Sequence, residues 1–297
     1  MRDNSVEHEP QVQLSFPQSE PAWTLTIVPN ASLISVPFAE LWRYRDLLLL
    51  LVRRDFVSFY KQTILGPIWF FLQPLLTALM FYVIFGQIAG LSTNGAPKFL
   101  FYLVGVTFWS YFAECFTKTS ESFTANAQLL SKVYFPRLII PLSIVVSNLL
   151  RFTIQLLLLI LVWIGHVVKG DIFPNATLLL FPLYLLLMAS TGLGVGLIFA
   201  AATTKYRDLR FLIVFGVQLL MYATPIIYPI GLAPGKWRDL MLLNPLAPLF
   251  ESLRYGWLGV GDFSVGGLLW ATAFAFGVLV TGVLMFNVTE RSFIDTV

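Results

Sequence analysis

The chain has 297 residues, of which 57% are hydrophobic and 12% charged, and its mean hydropathy is +0.78. That leaves too few polar residues to cover a water-soluble globule, so the composition defines an integral membrane protein. A net charge of +3 is too small to argue for nucleic acid as a partner, and two histidines with one cysteine exclude an intrachain disulfide and a His/Cys metal cage.

Residues 1–36 form a polar N-terminal tail, acidic early on and punctuated by Pro10, Pro17, Pro21 and Pro29. No apolar core follows a basic start, so no cleaved signal peptide is expected, and the Trp23 to Val28 alternation is at most one short strand. From Phe38 to Lys61, apolar residues recur at three- and four-residue spacing while Arg43, Asp46, Arg53, Arg54 and Lys61 fill much of the remaining face. Its uninterrupted apolar run, Leu47 to Val52, is far short of the roughly 20 residues a crossing needs. The pattern predicts an amphipathic helix lying at the membrane interface, either beside a docking partner or as a plain anchor.

Apolar spans are expected over Pro67 to Ile88, Phe99 to Phe116, Leu138 to Gly165, Leu178 to Ala202, Leu209 to Ile230 and Gly267 to Val288. Six spans place both termini on one side. Arg43, Arg45, Arg53, Arg54, Lys61, Lys118, Lys132, Arg137, Lys205, Arg207, Arg210 and Arg291 share that face, against Lys98, Lys169, Lys236, Arg238 and Arg254 opposite. The positive-inside rule makes the richer face, and both termini, cytoplasmic.

Between the second and third spans runs the longest polar interruption, Lys118 to Pro141. Ser120 or Ser122 is placed to cap a helix over Glu121 to Val133, and Tyr134-Phe135-Pro136-Arg137 forms the corner into the third span. Between the fifth and sixth spans, Lys236 to Leu243 and Leu246 to Tyr255 are two short helical patterns split by Asn244-Pro245. Each is too short to cross. They read either as a broken hairpin gating the outer mouth of a pore or as an amphipathic cap.

The sequence holds no G-x-x-x-x-G-K-[ST] phosphate loop, and its carboxylates are scattered. His8 and His166 fall on opposite sides of the membrane, so no nucleophilic triad forms. The Gly192, Gly194, Gly196 run lies inside an apolar span, where it signals close helix packing rather than a dinucleotide loop. Arg151, deep in the third span, should face protein or water, with Glu114 in reach as a structural partner or the pair in contact with substrate. Aromatic residues make up 15% of the chain. Belts at the interfaces and helix packing explain most of them, but the second span is aromatic throughout, and Tyr102, Trp109, Phe112 and Tyr222 are candidates to line a channel.

Tyr60-Lys61-Gln62-Thr63 with Gly66, Trp69 and Gln73-Pro74-Leu75 resembles the approach to the first span in bacterial ABC-2 type permeases that export polysaccharides, the O-antigen, capsule and teichoic acid group. Asn126 to Pro141, Lys205-Tyr206-Arg207-Asp208 and Asn244-Pro245-Leu246 with Arg254 agree with it, so the resemblance covers the chain from about residue 38 to its end. It implies an all-α permease that dimerises, binds two copies of a separate ATPase and moves a lipid-linked, undecaprenyl-type glycan across the inner membrane among membrane lipids. ATP and magnesium would sit on that partner, and this chain would hold no cofactor or metal of its own. In this family the helix after the second span is the coupling helix; here Glu121, Asn126, Leu129, Lys132, Tyr134, Phe135 and Arg137 would meet the ATPase or pass on its push. Arg53, Arg54, Tyr60 and Lys61 would border the entrance, and Trp237, Asn244, Pro245 and Arg254 the outer gate. An ABC-2 exporter of a drug or small lipid, or a multispan membrane transferase, are the alternative functions.

Overall fold

The computed structural model describes residues 38–294 apart from Gln62, Ser131, Val133, Tyr134 and Arg207, and for Phe38, Phe59, Tyr60 and residues 290–294 it describes the backbone alone. The polar tail, its candidate strand, Tyr134 and Arg207 therefore lie outside the described residues. Every regular element among those described is helical: α1 (Phe38–Arg43), α2 (Arg45–Tyr60), α3 (Trp69–Phe81), α4 (Lys98–Ser120), α5 (Ser122–Ala125), α6 (Ala127–Leu130), α7 (Ile139–Lys169), α8 (Phe181–Lys205), α9 (Leu209–Ala223), α10 (Gly235–Leu243), α11 (Leu246–Leu258) and α12 (Val265–Ile294).

Five helical stretches are long and apolar enough to cross a membrane: Gly66–Ile88, Lys98–Ser120, Ile139–Lys169, Ala176–Lys205 and Val265–Thr289. The expected fifth span is shorter than the sequence suggests, because α9 stops at Ala223. Thr224 precedes Pro225, whose ring disfavours helical geometry in the residue before it, and Thr224 is extended at φ −98°, ψ 140°. Its hydroxyl and its N–H both turn back to the Leu220 carbonyl.

α4 is the axis of the bundle, packed against α3, α7, α8, α9 and α11. Every residue from Leu100 to Trp109 is buried, so the aromatic excess of this span becomes core: Phe108 meets Phe152, Phe181 and Trp257 edge-on at centroid distances of 5.2 to 6.1 Å. The glycine run of α8 permits two close approaches at once. A Cβ on Gly196 would stand 2.6 Å from the Thr119 Cβ of α4, and one on Gly194 would stand 2.7 Å from the Leu279 backbone of α12. Alternating glycines thus let α8 wedge between the central helix and the last one.

The stretch expected as one interfacial helix is divided at Tyr44 into α1 and α2. α2 packs on α7 and buries Leu51 and Val52, leaving Leu49, Leu50, Arg53 and Arg54 exposed. Past α3 the chain widens into a π-helical turn, Tyr82–Ile88, where the Lys98 ammonium donates to the Gly86 carbonyl at 2.5 Å.

Candidate functional site

Three groups of predicted residues come together in three places. The first is the connection from α4 to α7. The continuous helix expected over Glu121 to Val133 is instead two four-residue helices, α5 and α6, hinged at Asn126. The Asn126 amide donates to the Ser122 carbonyl at 3.1 Å, a local bond that competes with helix continuation. Its carbonyl oxygen accepts from Arg54 Nη2 of α2 at 3.2 Å. On the other flank Arg210, at the start of α9, lies 3.5 Å from the Glu121 carboxylate and donates to the Thr124 hydroxyl at 2.7 Å. Beneath these polar pins Phe123 stacks on Phe286 of α12 at 4.4 Å, and Leu130 and Phe135 are buried with Leu51 and Ile139. Leu129 packs beside them, Lys132 is exposed and Arg137 is half-buried. Four elements, α2, α8, α9 and α12, hold this short segment, the Thr203 hydroxyl of α8 donating to the Ser120 carbonyl at 2.9 Å.

Spacing gave no sign of Arg210 as part of this site, because its partners lie 86 or more residues away in sequence, nor that Phe123, inside the helix expected over Glu121 to Val133, stacks on the last helix. Of the residues expected at the entrance, Arg53 is exposed and Lys61 follows α2 on its exposed side, while the Tyr60 side chain lies outside the described set.

The second place is a cavity of about 300 Å³ among α3, α4 and α7, with Met221 of α9 in its wall. Arg151 Nη1 lies 3.4 Å from both the Glu114 carboxylate and the Asn148 side-chain oxygen, and Nη2 reaches the backbone carbonyl of Asp55 in α2 at 3.4 Å. Lys118, one turn beyond Glu114 on α4, pairs with the same carboxylate. The Arg151 guanidinium also lies 5.9 Å from the Phe70 ring centroid. Arg151 thus faces protein groups and this cavity, as a charge at this depth requires. Of the four aromatic residues proposed from sequence as channel lining, Trp109 reaches this cavity. Tyr102 and Phe112 are packed in the core around α4, and Tyr222 is half-exposed on α9.

The third place is the pair α10 and α11 with the irregular segment Thr224 to Ile230. Arg254, with 1% of its surface exposed, donates to the Ile226 carbonyl at 2.5 Å and reaches the Tyr228 carbonyl at 3.4 Å. Its guanidinium sits over the Phe101 ring at 3.8 Å and beside the Glu251 carboxylate at 3.5 Å. Glu251 in turn accepts from the Ile230 N–H at 3.0 Å. One ion pair therefore supplies hydrogen bonds that the chain loses where α9 ends. The Asn244 side chain donates to the Thr224 hydroxyl at 2.9 Å and accepts from the Leu246 N–H at 3.1 Å, so Asn244-Pro245 starts α11 and ties it to the end of α9. Trp237 on α10 is exposed. Glu251 went unassigned from sequence, although its three-residue offset from Arg254 places both on one helix face.

Apolar helices long enough to cross a membrane, an irregular buried segment closed by a short helical pair, and a pinned polar connection together define a multispan helical membrane protein with built structures off the bundle. Residues 46–258 match the family model described as ABC-2 type transporter, so the chain belongs to that family and is the membrane subunit of a transporter. It is 30% identical over 252 residues to an O-antigen export system permease protein RfbA of Klebsiella pneumoniae, covering 84% of this chain and 94% of that one. It is 32% identical over 217 residues, 72% of this chain and 81% of the other, to a protein of the same name from Myxococcus xanthus. A more distant relative is the inner membrane transport permease YadH of Escherichia coli K12, at 23% identity over 242 residues, 78% of this chain and 86% of that one.

Proposed function

We propose that this chain is the membrane-spanning permease of an ATP-driven exporter that carries a lipid-linked, undecaprenyl-type polysaccharide across the bacterial inner membrane. The observation that carries the reading is the likeness, across most of both chains, to relatives named O-antigen export system permeases. In this reading the protein crosses six times, α9 and the Thr224 to Ile230 segment together making the fifth crossing, and both termini are cytoplasmic. Two copies pair, each bound to one ATPase subunit that holds ATP and magnesium.

The connection formed by α5 and α6 is the docking surface for that ATPase. A motor closing beneath it moves a segment that α2, α8, α9 and α12 already grip, so one displacement reaches several crossings together. α10 and α11 close the outer mouth. The permease makes and breaks no covalent bonds; differential binding of ATP by the partner biases which state of the channel is populated.

The test is purification with a candidate partner ABC ATPase, reconstitution into liposomes, and measurement of ATP hydrolysis with undecaprenyl-linked glycan added. Stimulation by the glycan is expected, and Lys132→Glu, a charge reversal at an exposed position, should strongly reduce export while leaving the purified complex folded. Stimulation by drugs or small lipids with none by the glycan would sink the polysaccharide reading. Undiminished export in the Lys132→Glu variant would remove the docking assignment.

A further inference from the structure

We propose that the apolar stretch Gly66–Ile88 ends in a register switch: Lys98 holds the π-helical turn Tyr82–Ile88 open, and the turn closes to an ordinary α-helical one when that lysine lets go. Turns of this width are rare, and three consecutive carbonyls show what keeps this one open. Ile84 accepts from the Ala89 N–H, five residues on, at 2.8 Å, and Phe85 from the Leu91 N–H, six residues on, at 2.9 Å. Gly86, the next, accepts from the Lys98 ammonium, which reaches across from the first residue of α4. A cation on a carbonyl at a helix end makes one of the stronger hydrogen bonds. A Cβ at position 86 would stand 3.2 Å from the Tyr102 ring and 3.4 Å from Lys98 Cδ, so the bare glycine is what lets the lysine stem lie there. Gln87 Nε2 donates to the Tyr82 hydroxyl at 2.6 Å. Residues five apart point about 140° away from each other round an α-helix, so this bond belongs to the wide register. The Tyr82 ring in turn stands edge-on to Phe99 of α4 at 6.2 Å.

Each of these holds comes from α4 or from the turn itself. Closing the turn removes one extra residue, about 100° of rotation between α3 and the segment Ala89–Pro97. Sliding of α4 past the first stretch releases Lys98, because the clamp bridges the two. α3 carries Gln73 and Thr77 into the wall of the cavity, so the switch re-aims that wall when the two helices move relative to each other. The inference does not rest on the exporter reading: register is measured in the protein alone, so the two fail separately.

The experiment places histidine pairs in the turn of the purified full-length protein and titrates them with Ni2+. Tyr82→His/Gln87→His is five apart and converges in the wide register, whereas Val83→His/Gln87→His is four apart and converges in an α-helix. Single Gln87→His is the reference, so that His8 and His166 contribute equally throughout. With Lys98 in place the five-apart pair should bind about tenfold tighter than the reference, and the four-apart pair no tighter. Lys98→Met should reverse that order. Gly86→Ala, whose methyl intrudes between Tyr102 and the lysine stem, should reverse it too while keeping the charge, so a folding failure of one release variant leaves the other to decide. A simple structural cap on a static turn leaves the order as it was. Equal or tighter binding by the four-apart pair with Lys98 in place, or an unreversed order in a folded release variant, would overturn the proposal.

Discussion

Arg254 and Glu251 are the charges whose removal should be felt most. Both are buried, and between them they satisfy the Ile226 and Tyr228 carbonyls and the Ile230 N–H. Non-helical backbone at membrane depth survives only where protein or water answers its polar groups. Arg254→Met is therefore expected to destabilise the protein by about 3–5 kcal/mol, because it strands a buried carboxylate and two carbonyls. Thermal unfolding of the detergent-purified protein measures this. Adding Glu251→Gln to Arg254→Met should recover part of the loss by removing the stranded charge. A single variant that melts within a degree of the parent would contradict this account. At this scale the sequence was legible where spacing is local. The offset of Glu251 from Arg254 is a one-turn helix relation, and an arginine deep in the third span demanded a partner before Glu114 was seen beside it. The carbonyls that Arg254 satisfies were not legible, because nothing in composition tells which backbone groups a fold will leave open.

At the scale of elements the glycines of α8 carry a prediction of their own. Gly196→Ala places a methyl where the Thr119 side chain already stands, and Gly194→Ala places one against the backbone of α12. Backbone cannot step aside as a side chain can. Gly194→Ala should cost about 1–3 kcal/mol, the usual range for overpacking, and more than Gly196→Ala, measured by the same unfolding experiment. Equal melting of both variants and the parent would show that α8 and α12 separate freely. The helices themselves were readable because long apolar runs have few alternatives in a membrane. Three boundaries were not readable in full. Asn126 ends α5 through a bond to Ser122 that any helix pattern would overlook, Thr224-Pro225 stops α9 inside an unbroken apolar run, and the π-helical turn at Tyr82–Ile88 leaves no mark in hydrophobic periodicity.

For the molecule as a whole, the arginine pins on α5 and α6 join elements that are remote in sequence. Arg54 and Arg210 are both partly exposed, and exposed pairs are worth about 0–1 kcal/mol to stability. Replacing both with alanine should leave the melting temperature nearly unchanged while, for the exporter proposed above, lowering the substrate delivered per ATP hydrolysed in proteoliposomes. Parallel loss of stability and transport would instead make the pins ordinary structural contacts. The length of α7 bears on the same question. Its 31 residues make a rod of about 46 Å, against a hydrocarbon layer of about 30 Å. It begins four residues past Phe135, under the pinned connection, and near its far end the Trp163 indole donates to the Trp257 carbonyl of α11 at 2.7 Å. A single unbroken helix therefore joins the pinned connection to the hairpin on the opposite surface. In the exporter proposed above, tilting it would move both ends in opposite senses at once, so that the inner connection and the outer hairpin would be geared to each other without any relay of side chains between them.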